Sequence, residues 1–251
     1  MVARRYHRQH RLWGIMVLVG LAASACTHGS LVGGSIVKGS GNITTEVRQV
    51  SGFTAVQLSG IGSVEIAQTG TEGLSISAED NLLPLINTNV QGTLLDIHTQ
   101  PNTILEPTKP IVYLLSVKDL TTISLSGAGS VTTQQFKTNA LEVDLSGAGA
   151  VSLTGLQLSS LTVNFSGAGQ LTVSGTTTSQ NVTSSGAGRY NGEQLASTTA
   201  KVTLSGVGSA SVRASKTLDV TISGVGNLTY YGNPSVTQHI SGLGKVNHAQ
   251  G

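Results

Sequence analysis

The chain is poor in the residues from which most chemical sites are built. Of 251 residues only one is Cys, aromatics make up 4% and charged residues 10%. A single Cys excludes a disulfide framework, a zinc ribbon and a dithiol redox centre together. So few Lys, Arg and aromatic side chains leave little to hold phosphates or stack on bases, and no nucleic-acid partner is expected. The cations are also unevenly placed. Four of the 14 Lys and Arg (Arg4, Arg5, Arg8, Arg11) lie ahead of Cys26, where there is no Asp or Glu, which leaves 10 basic against 12 acidic side chains from Cys26 onward. The remainder is close to neutral, and an electrostatic case for anionic partners disappears. Apolar residues are not scarce: at 38% with low net charge, the composition is that of a folded chain.

The first segment reads as an export signal. A basic head precedes the apolar run Leu12–Leu21 and the small residues Ala22-Ala23-Ser24-Ala25, the three parts of a secretory signal peptide over residues 1–25. Leu12 to Ala25 is short of the ~20 apolar residues that span a bilayer. Cys26 follows at once, and Ala23-Ser24-Ala25-Cys26 resembles a bacterial lipobox with Ala where Leu is usual. Lipidation of Cys26 is the preferred reading. Ala-Ser-Ala also suits the ordinary signal peptidase, which would release a secreted or periplasmic protein. Residues 26–41 then form the anchor and a flexible tether.

The abundant residue is Gly, with 32 copies, and it is periodic. The tetrapeptide Ser-Gly-x-Gly starts at Ser59, Ser126, Ser146, Ser166, Ser185, Ser205, Ser223 and Ser241. From Ser126 onward it recurs at a near-constant interval of about 18–20 residues, the mark of a repeat architecture. Around each copy apolar and polar residues alternate, as in Ile123-Ser124-Leu125, Val143-Asp144-Leu145 and Val163-Asn164-Phe165. Period-two alternation specifies strand. A unit this short cannot bury its own apolar face, so like units must stack at the strand spacing of ~4.8 Å. The expected fold is all-β: a parallel, three-sided β-solenoid. A right-handed coil follows from the usual hand of parallel crossovers, although the shortest of these turns also suit left-handed hexapeptide helices. The head domain is expected over residues 42–247, regular over 111–247 and irregular over 42–110. Hairpin-like turns are expected at Thr69-Gly70 and Gln91-Gly92, a helical turn within Leu82–Ile86, and a proline-containing connection over 101–110.

The corner glycines Gly127, Gly129, Gly147, Gly149, Gly167, Gly169, Gly186, Gly188, Gly206, Gly208, Gly224, Gly226, Gly242 and Gly244 have a structural reading: positive φ or close backbone approach. They are not phosphate loops, because no helix follows and no Gly-Lys-Ser/Thr closes them. No repeated Asp occupies these turns, and the exported histidines His28, His98, His239 and His248 include no i, i+4 pair, so no metal site and no cofactor is expected. Ser35-Ile36-Val37-Lys38 matches Ser-x-x-Lys without its companion motifs.

For binding, the candidates are Tyr231, as an exposed aromatic platform, and the same-face acidic pair Glu142 and Asp144. Tyr190 belongs to an inward column. Lys201 and Asp219 should be stacked neighbours close enough for an exposed ion pair.

Several stretches together carry a family likeness. Asn42-Ile43-Thr44, Val50-Ser51-Gly52-Phe53, Asn81-Leu82-Leu83-Pro84, the serial SGAG and SGVG turns and Tyr230-Tyr231-Gly232-Asn233-Pro234 resemble the auto-transporter adhesin head (GIN) domain family. The resemblance covers about residues 42–247. It implies a β-solenoid outside the cytoplasmic membrane of a bacterium, often on lipid-anchored proteins, and supplies no catalytic residues. Many members carry Asp after the corner; here those positions are Ser130, Ala150, Gln170, Arg189, Ser209, Asn227 and Lys245. The expectation is a non-catalytic binding, adhesion or structural module of the cell envelope, held to the membrane by an N-terminal lipid. Its partner would be an envelope polysaccharide or a surface protein. A carbohydrate-active lyase or hydrolase on a β-helix, and a self-assembling envelope protein, are the alternatives.

Overall fold

The computed structural model describes residues 34–250; the signal segment and Cys26 lie outside the described residues. The described chain is 67% strand, wound into about six stacked turns of a β-solenoid. One turn shows why there are three sides. Along the strand β13 (Ala150–Phe165) of the regular array, Val151, Leu153, Leu156, Leu158, Leu161, Val163 and Phe165 are buried. Alternation breaks where two consecutive residues face outward, at Thr154/Gly155 and Ser159/Ser160. Those breaks are two corners; Ser-Gly-Ala-Gly is the third.

The sides stack in parallel register. The first side runs through β3 (Ala55–Leu58), β10 (Thr122–Leu125), β12 (Ala140–Leu145) and the last third of β13, so that Val56, Ile123, Val143 and Val163 share one buried column. It continues through β14 (Gln170–Ser184), β15 (Arg189–Leu204) and β16 (Val207–Ile222) to β18 (Ser235–Ile240). The second side runs through β4 (Ser63–Gln68), β11 (Ser130–Gln134) and the first thirds of β13 to β16, then β17 (Val225–Tyr231) and β19 (Lys245–His248). Burial of the inner columns, at roughly 1.5–3 kcal/mol per Val, Leu, Ile or Phe, is the main favourable term of the fold.

The irregular N-terminal part closes one end of this stack. The turn at Ser59 lies directly on the turn at Ser126, although 67 residues separate them. The intervening chain folds back beneath it. There β7 (Leu94–Thr99) pairs parallel with β3, and β9 (Val112–Val117) pairs parallel with β4. Antiparallel strands finish the end: β5 (Gly73–Glu79) on β9, β2 (Ile43–Arg48) on β5, and β6 (Ile86–Gln91) on β7.

Local expectations meet three outcomes here. Gln91-Gly92 does close the β6–β7 hairpin, and Leu83–Leu85 is a 3₁₀ turn. Thr69-Gly70 does not close a hairpin of paired strands, because β9 is inserted between β4 and β5. The stretch read as a tether ends in structure: β1 (Ser35–Lys38), the Ser-x-x-Lys match, pairs in parallel with β8 (Thr103–Glu106) inside the proline-containing connection. So short a strand, paired to a partner far along the chain, leaves no local signature.

Candidate functional site: a corner groove and a polar cluster

The Ser-Gly-x-Gly corners stack as tightly as backbone allows. At each coil from Ser146 onward the N–H of x donates to the carbonyl of the first Gly one coil back, as in Ala148 to Gly127 (3.2 Å), Ala168 to Gly147 (3.1 Å), Val207 to Gly186 (3.0 Å) and Leu243 to Gly224 (2.9 Å). A Cβ on any first Gly of the regular array would collide with that same carbonyl, and one on Gly129 or Gly208 would sit 2.5 Å from the carbonyl of Gly62 or Gly188. Among these corners only Gly62 has positive φ (115°). Close approach, not left-handed backbone, is what demands Gly here. The Cα–H in place of Cβ points at the stacked carbonyl, a contact that recurs in sheets.

Glycines without side chains leave a shallow trough along the corner. It is a groove of about 1010 Å³ running from Gly62 to Leu243. The x residues Ala128, Ala148, Ala168, Ala187, Val207, Val225 and Leu243 form its exposed apolar ridge, the last three at 62%, 50% and 81% exposure. Ser130, Gln170, Arg189, Ser209 and Asn227 stand on one flank and the ridge forms the other, while the exposed corner serines lie outside the groove. Eight levels, seven steps at the strand spacing, give a length of ~34 Å. Such a surface can hold an extended chain; it has no acid–base pair or nucleophile with a partnering base along it.

The acidic pair lies elsewhere. Glu142 and Asp144 share the outer face of β12, as their i, i+2 spacing requires. One amide joins them: Asn164 Nδ2 donates to Glu142 Oε1 (3.0 Å) and Asp144 Oδ1 (2.9 Å). Asp144 also accepts from Ser124 Oγ at 3.4 Å. The pair lies outside the corner groove, so a chain laid along that groove does not pass between the two carboxylates. Lys201 and Asp219 are register neighbours as expected, but their side chains form no ion pair; solvent suits both better.

Tyr231 is half-buried rather than fully exposed. Its hydroxyl donates to Glu193 Oε2 at 2.9 Å, and the Arg213 guanidinium carbon lies 5.2 Å from its ring centroid. The bond to the Glu193 carboxylate is the main reason the phenol titrates above its ordinary value. Arg213 Nε donates to the Glu193 carbonyl at 2.8 Å. Glu193 and Arg213 were not legible as neighbours, because an irregularity in the β15–β16 register carries Arg213 to Ala196 rather than to Glu193. Beside them Tyr230 and His248 stack at 4.6 Å, and His248 Nε2 lies 2.8 Å from the Gly232 carbonyl.

The other titratable groups are structural. Tyr113 and Tyr190 are buried, and burial pushes both phenols up beyond any physiological range. His98 Nδ1 pairs with Asp96 Oδ2 at 3.0 Å. Among the described residues no three His, Cys, Asp or Glu converge as metal ligands, and no helix is long and apolar enough to cross a membrane.

Solved structures with this arrangement exist. A protein described as a putative adhesin from Bacteroides fragilis superposes with a TM-score of 0.80 at 23% identity, over 85% of this chain and 100% of that one. A putative lipid binding protein from Parabacteroides distasonis gives 0.67 at 23% identity, over 86% and 100%. A putative adhesin from the same organism gives 0.64 at 20% identity, over 86% and 100%. At these identities the likeness is one of fold. No curated protein matches the sequence. The family described as "Putative auto-transporter adhesin, head GIN domain" matches residues 52–234, most of the solenoid, and this chain belongs to that family.

Proposed function

We propose that the protein is an exported, non-catalytic adhesion module that lays an extended polymer along its corner groove, an envelope polysaccharide before a surface protein. The observation that carries this reading is the groove itself: ~34 Å of level, repeating floor at ~4.8 Å steps, with an apolar ridge on one side and the polar side chains of Ser130, Gln170, Arg189, Ser209 and Asn227 on the other. A pyranose chain offers C–H faces to such a ridge and hydroxyls to Gln170, Arg189 and Asn227. Membership in an adhesin-head family and the adhesin names of two structural neighbours support it. Lipidation at Cys26 would hold the module at the membrane surface.

The test is retention of the full-length, detergent-solubilised chain on immobilised envelope polysaccharides, with released products assayed in the same samples. Retention without products, lost in Ala168→Arg, is the expected result. Product release that disappears in Glu142→Gln or Asp144→Asn would replace the reading with a carbohydrate-active enzyme. For the anchor, Cys26→Ala should move the protein from the membrane to the soluble fraction; unchanged partition would remove the lipid from the proposal.

A second reading, self-association, is favoured by one feature. The outer edges of β18 and β19 have no strand partner among the described residues, and Ile240 is 40% exposed there. Sedimentation that varies with protein concentration would support it.

A further inference from the structure

We infer that Arg213, Tyr231 and Glu193 form a second binding site, separate from the corner groove, that takes a carboxylate-bearing sugar. This deepens the adhesion reading, on which it rests, by naming an acidic sugar as ligand. Arg213 is half-buried and fixed in orientation: Nε is committed to the Glu193 carbonyl and the guanidinium lies beneath the Tyr231 ring. Among the described residues its two terminal nitrogens have no protein acceptor and no carboxylate forms an ion pair with it. A planar fork held in place with both ends unspent is the geometry that receives a carboxylate in two parallel bonds.

The surroundings select a sugar. Glu193 uses Oε2 for Tyr231, and among the described residues Oε1 has no partner, which leaves an acceptor for ring hydroxyls. Ligand carboxylate and ring hydroxyls would thus meet Arg213 and Glu193 side by side, with the Tyr231 ring holding both side chains in place.

The probes are polygalacturonate, neutral dextran and dextran sulfate, titrated into the full-length chain at low salt. Polygalacturonate should bind, and Arg213→Lys, which keeps the charge and loses the fork, should weaken it about tenfold or more. Lys201→Ala, which removes an exposed cation outside both sites, should leave that affinity unchanged. Galacturonate added to the wild-type protein should shift the Arg213 guanidinium N–H signals in an NMR titration, a readout independent of any variant's stability. Equal polygalacturonate affinity in wild type and Arg213→Lys, or silent guanidinium signals, would overturn the site. So would dextran sulfate binding as tightly and surviving Arg213→Lys, the mark of general ion exchange. Loss of dextran retention in Ala168→Arg with uronate binding intact separates the fate of the groove from that of this site.

Discussion

Thr108 donates both its hydroxyl and its backbone N–H to the buried carboxylate of Glu79, at 2.6 and 2.9 Å. Gly41 N donates to the same group at 2.7 Å. Three distant segments of the folded-back end therefore meet at one side chain. Gly39 passes so near that a Cβ there would strike the carboxylate.

A pH dependence follows from this cluster. The Thr108 hydroxyl, foremost, and the N–H groups of Gly41, Thr108 and Lys109 hold the Glu79 carboxyl below its ordinary value, against the opposing effect of burial. A depressed native value means that the ionised form stabilises the fold. That contribution is complete above the unfolded value of about 4.3 and is lost as pH falls through the native one. Melting temperature should drop as pH is lowered below that point. Glu79→Gln should melt lower at pH 7 and show a flatter acid limb. Parallel acid limbs for the two proteins would contradict the assignment.

Corner glycines and other glycines should respond differently to the same methyl group. Gly167→Ala places a Cβ against the Gly147 carbonyl, and overpacking of this kind costs about 1–3 kcal/mol. At Gly73 a Cβ meets nothing within 4 Å and φ is not positive, so Gly73→Ala should be neutral or stabilising by about 0.4–1 kcal/mol. Urea unfolding of both variants decides this, and equal midpoints would mean that the corner relaxes freely.

Inside the stack, Tyr190 donates to Gln180 Oε1 at 2.9 Å, and Gln180 Nε2 donates to Ser197 Oγ at 2.9 Å. Tyr190→Phe removes the one donor that a buried amide oxygen has among the described residues. The expected loss is about 1–3 kcal/mol, the range for stranding a buried acceptor. A double-mutant cycle with Gln180→Leu should show coupling; strictly additive losses would show that the pair acts independently.

Glu142→Gln and Asp144→Asn should each change stability by no more than about 0.5 kcal/mol, as at ordinary surface positions. Asn164 can reorient toward solvent when either carboxylate goes. A loss several times larger in calorimetry would show that the Asn164 bridge holds the first side together.

The array from Ser126 onward was legible because its information is local. Alternation of Val, Leu and Ile with Ser, Thr and Asn defines each strand, and a constant spacing aligns the columns. The fold-back of β5 to β9 was not legible in the same way. Those strands alternate like the others, but nothing in an isolated strand states whether its partner is one coil away or far along the chain, or runs parallel or antiparallel to it. Arg213 and Glu193 escaped for a related reason: the β15–β16 irregularity shifts side chains off the columns that a fixed period assigns.

The sequence alone determined the strands, the corner period and the need to stack, because so short a coil has an apolar face that only its neighbours can cover. Tertiary structure decided what the corners mean and how the stack begins. At the corners one residue type served two possible geometries, and only the distance to the next coil shows that Gly is present for lack of a Cβ. At the closed end, pairing depends on contacts between segments far apart in the chain, whose relative placement no local pattern encodes.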